Sequence, residues 1–362
     1  MVVLSRCASA TYSSAMSRQS SGKKSATSTT SNEQKPVIVV LGYGGQGRAL
    51  ALNWKDSGYS VLVALRPRSK SASKVHRDGL PVVSFEQAAV LGEVIVFAIP
   101  DHTHASVFSR YFAGKLETDS MLLFLHGTSV AFNAVKPEKS QHIGLLAPHA
   151  PGTAVRSAFL SNQPLSGFVG GNSAPATRRV RQLAAAMGIP KSHQMITSFR
   201  DEAVGDLFGE QMVLCGGLAA LISTGFETLR ASGMKSEHAW LEVGYQIDLI
   251  VSLIKEYGIR GMFERISIAA HHGSLEIAPA MMKALQPIMK KRLAEIANGT
   301  YAKQLLADYD LSKASLVSRT RKISSDSLEK AAKSIARINK LHNVHAHGQP
   351  FTQRESRKKG RP

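Results

Sequence analysis

The sequence predicts an α/β, Rossmann-type domain at the N-terminal side and an all-α domain after it. Three observations carry this. An apolar run, VIVVL, leads directly into three glycines spaced Gly42, Gly44 and Gly47. Strand-length apolar runs then alternate with helical stretches as far as about Pro190. Beyond that point the apolar residues fall in long runs with helical periodicity.

The fold is expected to begin at Pro36. VIVVL has the unbroken apolar character of a buried parallel strand. A helix is expected from about Gln46 to Ser57, stopped by Gly58, and SVLVAL supplies the second strand. Further strands are expected at 93–99, 121–127, 142–148 and 167–171, with helices between them such as THASVFSRYFAG. Strand and helix alternating at this spacing imply a parallel, doubly wound sheet. From Pro190 a nearly all-helical region is expected, with runs around 201–233, 238–258 and 278–299 and a further helix near 327–342. The expected organisation is a 1–35 extension, a 36–189 dinucleotide-binding domain, a 190–310 helical domain and a basic 311–362 segment.

The 362 residues are ordinary in composition, 43% hydrophobic and 20% charged. The net charge of +19 is concentrated at the ends. Residues 1–35 hold five Lys/Arg against one acid, and residues 313–362 hold thirteen against three. Charge placed there argues against a specific nucleic-acid partner, and the middle shows no zinc-finger spacing. No unbroken apolar run reaches the roughly 18 residues that span a bilayer, so no membrane association is expected. Two cysteines, Cys7 and Cys215, are too few for a disulfide framework and point to a reducing compartment. That compartment is the cytoplasm, or a mitochondrial or plastid matrix if the Ser/Thr/Ala-rich residues 1–32 are a presequence; they equally fit a disordered extension or an upstream start before Met16.

The glycine motif is a dinucleotide fingerprint when a strand precedes it and a helix follows. The first glycine permits the turn, the second lets backbone approach a pyrophosphate, and the third lets helix and sheet pack. Gln46 lies inside the same turn. An acid at the end of the second strand would favour NAD. Here that end reads LRPRSKSASK, so Arg66, Arg68, Ser69, Lys70 and Ser71 offer charge and hydroxyls suited to a 2′-phosphate. The cofactor expected is NADPH.

GYGGQGRALALNWKDSG, DLFGEQMVLCGG and GFETL–ASG together resemble the short, class I form of the ketol-acid reductoisomerase family, over residues 36 to about 305. The resemblance implies alkyl migration in 2-acetolactate or 2-aceto-2-hydroxybutyrate followed by reduction with NADPH. It also implies Mg²⁺, a role in branched-chain amino acid synthesis, and a knotted helical domain that builds a homodimer. By position, the family's metal ligands fall on Asp206, Glu210 and Glu242, its active-site histidine on His126, and a serine that contacts substrate carboxylate on Ser267.

The chain departs from the family at several of these places. The fourth carboxylate of the metal sites is Gln246, and the active-site lysine is His149. A glutamate and a tyrosine become His271 and His272, and Thr128 replaces a phenylalanine after the histidine–glycine pair. Gln246 keeps an oxygen but removes a negative charge beside two cations. His149 replaces a fixed charge with a titratable ring, able to act as acid, base or ligand. The reading is therefore an NADPH-dependent, Mg²⁺-assisted reductase of a small 2-keto acid or carboxylated imine, with isomerisation weakened or lost. A genuine ketol-acid reductoisomerase that tolerates the changes is the alternative, and a non-catalytic NADP-binding homologue stands behind both.

Overall fold

The computed structural model describes residues 35–307 and 313–346. The expectations for residues 1–32 and for the last residues lie outside these.

Eight strands form one sheet in the order β3-β2-β1-β4-β5-β6-β7-β8. They are β1 (Ile38–Leu41), β2 (Val61–Ala64), β3 (Val82–Val83), β4 (Val94–Phe97), β5 (Met121–Phe124), β6 (His142–Pro148), β7 (Gly167–Gly171) and β8 (Gln194–Ile196). The helices of this part are α1 (Gly45–Asp56), α2 (Ala72–Arg77), α3 (Phe85–Leu91), α4 (His104–Tyr111), α5 (Thr128–Ala131), α6 (Gly152–Leu160) and α7 (Ala174–Ala186). The sheet buries both faces. Ile38 and Val40 pack with Trp54, Val155 and Val180 on one side, while Val39 and Leu41 pack with Phe97, Phe112 and Phe124 on the other. This is the period-two alternation of a strand covered twice.

Two features correct the sequence expectation. β7 runs antiparallel to β6, pairing Gly144 with Gly171 and Pro148 with Gly167. Apolar periodicity carries no direction, so the sequence could not show this. Glycines let the chain pack closely there: a Cβ on Gly144 would fall 2.5 Å from Val180 Cγ2. β8 lies beyond Pro190, where a nearly all-helical region was expected, and pairs in parallel with β7. The sheet therefore extends through Ile196.

The remaining elements are helical: α8 (Phe199–Gly209), α9 (Gly216–Ala231), α10 (Ser236–Trp240), α11 (Ile247–Phe263), α12 (Ile268–Ala297), α13 (Thr300–Ala307), α14 (Lys313–Thr320) and α15 (Asp326–Ala346). Two single π-helical turns interrupt them, Glu210–Leu214 between α8 and α9 and Leu241–Tyr245 between α10 and α11. The buried core among these helices is small: Phe226 and Ala239 meet Leu328 and Ala331 of α15. Much apolar surface is left outside, including Leu221, Leu249, Met282 and Ile288.

The run Phe199–Ala231 departs from the sequence expectation in length and hydropathy, not in membrane association. By length and composition alone it could cross a bilayer, with an 18-residue stretch of mean hydropathy 1.5 that is 6% buried. The sequence criterion of an unbroken apolar run missed it because scattered polar residues such as Ser223 and Thr224 interrupt the run without lowering its average much.

Candidate active site

The site lies at the crevice where the strand order reverses, between β1 and β4. Sheets of this kind bind ligands there. Gly42 leaves β1 with φ +88°, and a Cβ on it would meet Ile99 Cγ2 at 2.9 Å and Ala98 O at 3.0 Å. Gly47 has the backbone oxygen of Gly42 at 2.9 Å from its would-be Cβ, which is how α1 packs against the turn. Gly44, by contrast, faces open space. The first turn of α1 holds no acid, so its unpaired N–H groups present positive potential to the crevice.

A cleft of about 510 Å³ runs along this crevice. At one end it is lined by Arg66, Ser69 and Ser71, in the middle by Gly42, Gly44 and Gln46, and at the other end by Asp101 and His126. Gln46 donates to the carbonyl of Ala150 at 2.9 Å, while its buried Oε1 has no protein partner. An unpaired buried acceptor costs free energy unless a ligand or water satisfies it. The open face at Gly44, the free Gln46 oxygen and the basic, hydroxyl-rich end all fit a phosphorylated dinucleotide. Arg68 does not line the cleft; it sits in a left-handed turn at φ 60°.

At the far end, His126 leaves β5 and Asp206 projects from α8. His126 Nε2 lies 2.9 Å from Asp206 Oδ2, close enough for an ion pair though not aligned for a hydrogen bond. Its Nδ1 lies 2.8 Å from Thr128 Oγ1 and 3.8 Å from Asp101 Oδ2. Burial alone would lower the His126 pKa, but Asp206, Glu202 and Asp101 outweigh it and raise it to about 9. Glu202, one turn before Asp206 on α8, accepts a 2.5 Å hydrogen bond from the Gly127 N–H. Its carboxyl is pushed up to about 7, chiefly by burial. His126, Glu202 and Asp206 offer ligand atoms all within 4.8 Å of one another, a donor set that fits a divalent cation.

Glu202, Asp101 and His104 were not anticipated from the sequence. His104 is buried, with Nδ1 2.8 Å from Ser129 Oγ and Nε2 2.9 Å from the Ile99 carbonyl, so Nε2 carries the proton. The spacing 202, 206, 210 was the available signal, placing three carboxylates on one helical face.

The other expected residues are not gathered at this point. Glu210 opens the first π turn, exposed; burial first and Asp206 second raise its pKa. Glu242 and Gln246 are exposed at the second π turn, where Gln246 Nε2 donates to the Leu241 carbonyl at 3.2 Å. Ser267 caps α12, accepting from the Ala270 N–H at 3.2 Å. His149 is exposed and meets the edge of Phe168 at 4.4 Å. His271 stacks on Phe263, and His272 lies 3.9 Å from Glu276.

Comparison with known proteins shows the family. Residues 33–192 match the acetohydroxy acid isomeroreductase, NADPH-binding domain, and residues 199–340 match the ketol-acid reductoisomerase, C-terminal domain. The chain belongs to the ketol-acid reductoisomerase family. It is 34% identical over 306 residues to the ketol-acid reductoisomerase (NADP(+)) of Methanosphaera stadtmanae, covering 83% of this chain and 93% of that protein. The counterpart from Methanocaldococcus jannaschii is 36% identical over 272 residues, covering 74% and 82%. A solved NADH-preferring ketol-acid reductoisomerase from an uncultured archean superposes with a TM-score of 0.78 at 30% identity, covering 83% of this chain and 94% of that one. The expected reductoisomerase fold, a parallel-sheet domain followed by a helical one, is thus the family's own.

Proposed function

We propose that this member of the ketol-acid reductoisomerase family is an NADPH-dependent, Mg²⁺-assisted reductase of a small 2-keto acid or carboxylated imine, with the isomerase step weakened. The observation that carries the reading is the cleft running from Arg66 and Ser69 to His126, whose Nε2 lies 2.9 Å from Asp206 Oδ2. Reduction needs a hydride at carbon and a proton at oxygen or nitrogen. NADPH supplies the first when bound, its 2′-phosphate held by Arg66, Ser69 and Ser71 and its pyrophosphate by the α1 N-terminus. His126, at the end of the cleft beside Asp206, supplies the second. Asp206 and Glu210 would hold the cation that polarises the acceptor oxygen, and Glu242 would belong to a second cation site that shares Asp206. Ser267 contacts the substrate carboxylate.

Migration of an alkyl group asks for two cations side by side. Their repulsion is offset by the surrounding carboxylates, and Gln246 leaves that set one charge short. A genuine reductoisomerase activity is the second reading, favoured by the extent of identity to proteins of that name over most of their length.

The helical region assembles as a homodimer. A mostly apolar groove of about 740 Å³, lined by Leu218, Leu221, Met281, Leu285 and Ile288, lies on a domain with a small core of its own. A second copy covers it and brings one Glu242–Gln246 pair toward the other's Asp206–Glu210 pair. A cytoplasmic location accompanies this reading, or an organelle matrix if residues 1–32 are a presequence.

The test offers purified protein, NADPH and Mg²⁺ either 2-acetolactate or the already isomerised 3-hydroxy-3-methyl-2-oxobutanoate. Turnover of the second much faster than the first is expected; equal rates establish the second reading.

A further inference from the structure

We propose that Thr128 is a positioning residue for His126, holding the imidazole so that Nε2 faces Asp206 at the end of the cleft. The inference rests on His126 acting at that end, as argued above. The backbone here is already fixed: the Gly127 N–H donates to buried Glu202, and α5 starts at Thr128. That bond does not fix the ring, which still turns about its own side-chain bonds. A half-turn about the Cβ–Cγ bond exchanges the positions of ring nitrogens and carbons.

Thr128 removes this freedom. Its side chain is 1% exposed, and its hydroxyl lies 2.8 Å from His126 Nδ1. A buried hydroxyl that loses its partner is left without water to replace it. The alternatives near it are engaged: the neighbouring Ser129 hydroxyl pairs with His104 Nδ1 at 2.8 Å. The Nδ1–Oγ1 contact with Thr128 leaves Nε2 turned to Asp206 at 2.9 Å. Asp101 Oδ2, at 3.8 Å from Nδ1, is too far for a hydrogen bond and adds charge without direction. Asp206 attracts one edge of the ring without directing it; Thr128 fixes the other. The chain has a threonine where the resemblance leads one to expect a phenylalanine, which has no such donor or acceptor.

The test compares Thr128→Val and Thr128→Ser in the full-length enzyme with NADPH and Mg²⁺. Valine keeps the branched shape and removes the hydroxyl, whereas serine keeps the hydroxyl. On the isomerised hydroxyketo acid, Thr128→Val should lower kcat roughly tenfold with KM within about twofold, and Thr128→Ser should restore most of it. A second readout needs no substrate: a hydrogen-bonded Nδ1–H signal of His126, seen by NMR of ring-labelled protein, should persist in the serine variant and vanish in the valine one. If the NMR signal behaves so but the hydroxyketo acid is not reduced by any form, the proposed substrate fails and the positioning role stands. Wild-type kcat in Thr128→Val, an unchanged Nδ1–H signal, or equal losses in both variants with a lowered melting temperature would each overturn the proposal.

Discussion

Arg48 grips Asp78 at two points, Nε to Oδ2 at 2.7 Å and Nη2 to Oδ1 at 2.8 Å, and Tyr43 donates its hydroxyl to the same Oδ2 at 2.8 Å. Tyr43 lies within the glycine turn and Arg48 just after it, and Asp78 ends the helix that follows the loop carrying Arg66, Ser69 and Ser71. The network therefore ties the glycine turn in the middle of the cleft to α2, which follows the Arg66, Ser69 and Ser71 end.

The Arg48 guanidinium first, with Tyr43 assisting, holds the Asp78 carboxyl down to about 2. A lowered carboxylate pKa stabilises the fold above its ordinary value and loses that contribution as pH falls through the folded value. Asp78→Ala should therefore cost about 1–2 kcal/mol at pH 7 and little at pH 2, read by urea unfolding across that range. NADPH affinity should fall in the same variant. A variant with wild-type stability at pH 7 would show that the pair contributes nothing.

At the opposite end of the cleft the sign reverses. Glu202 rises to about 7 through burial, and His126 rises to about 9 because its carboxylate neighbours outweigh burial. Both groups bind protons more tightly folded than unfolded. Without added dication, stability should be highest near pH 5 and fall as pH climbs through 7 and on to 9, by roughly 2 kcal/mol or more. Glu202→Gln keeps an acceptor for the Gly127 N–H and should flatten the lower part of that slope. Urea midpoints in EDTA at pH 5, 7 and 9 measure it.

Cofactor choice is expected to turn on Arg66 and Ser69, which line the cleft, while Arg68 does not. Ser69→Asp combined with Arg66→Ala should weaken NADPH at least tenfold and narrow its advantage over NADH; Arg68→Ala should change the ratio by less. A larger effect at Arg68 would mean that this loop rearranges when NADPH binds.

Unburied apolar surface is what supports the proposed homodimer. Leu221 is 56% exposed and Met282 70% exposed on the helical region. Leu221→Asp and Met282→Asp together should yield a monomer by light scattering at micromolar concentration and abolish turnover. Dimers persisting in that double variant would place the interface elsewhere.

How much was legible varied with the kind of signal. β1, the glycine turn and α1 were plain because an apolar run, three glycines and a helical repeat coincide. β3 and β8 have two and three residues, too short for any period to register. The π turns at Glu210 and Leu241 have the composition of ordinary helix, so the change in backbone geometry beside the expected ligands left no trace. Glu202 was hidden by a duller role: with Asp201 it sits in the first turn of α8, where carboxylates are favoured anyway. Folding brought it against Gly127, 75 residues away in sequence. Glu242 and Gln246 were legible as a pair four residues apart, but one chain does not bring them to Asp206.

Gln246 carries the sharpest expectation. Its side-chain nitrogen donates to the Leu241 carbonyl, and the residue is exposed beside Glu242 on a turn that a second subunit would cover. Gln246→Glu replaces that amide by a carboxylate and should restore binding of a second Mg²⁺, visible as an added event in titration calorimetry. His149 stands at an exposed position on the loop whose Ala150 carbonyl receives Gln46 and whose Gly152 touches Gly45. His149→Lys therefore returns a fixed positive charge beside the cofactor turn without disturbing a buried contact. The double variant should turn over 2-acetolactate about tenfold faster or more, while reduction of the isomerised intermediate changes little. Reduction improving in step with isomerisation would mean that the added charges act on binding in general. Full turnover of 2-acetolactate by the unmodified chain would remove the basis for the variant, because a glutamine would then serve the second cation as well as a carboxylate does.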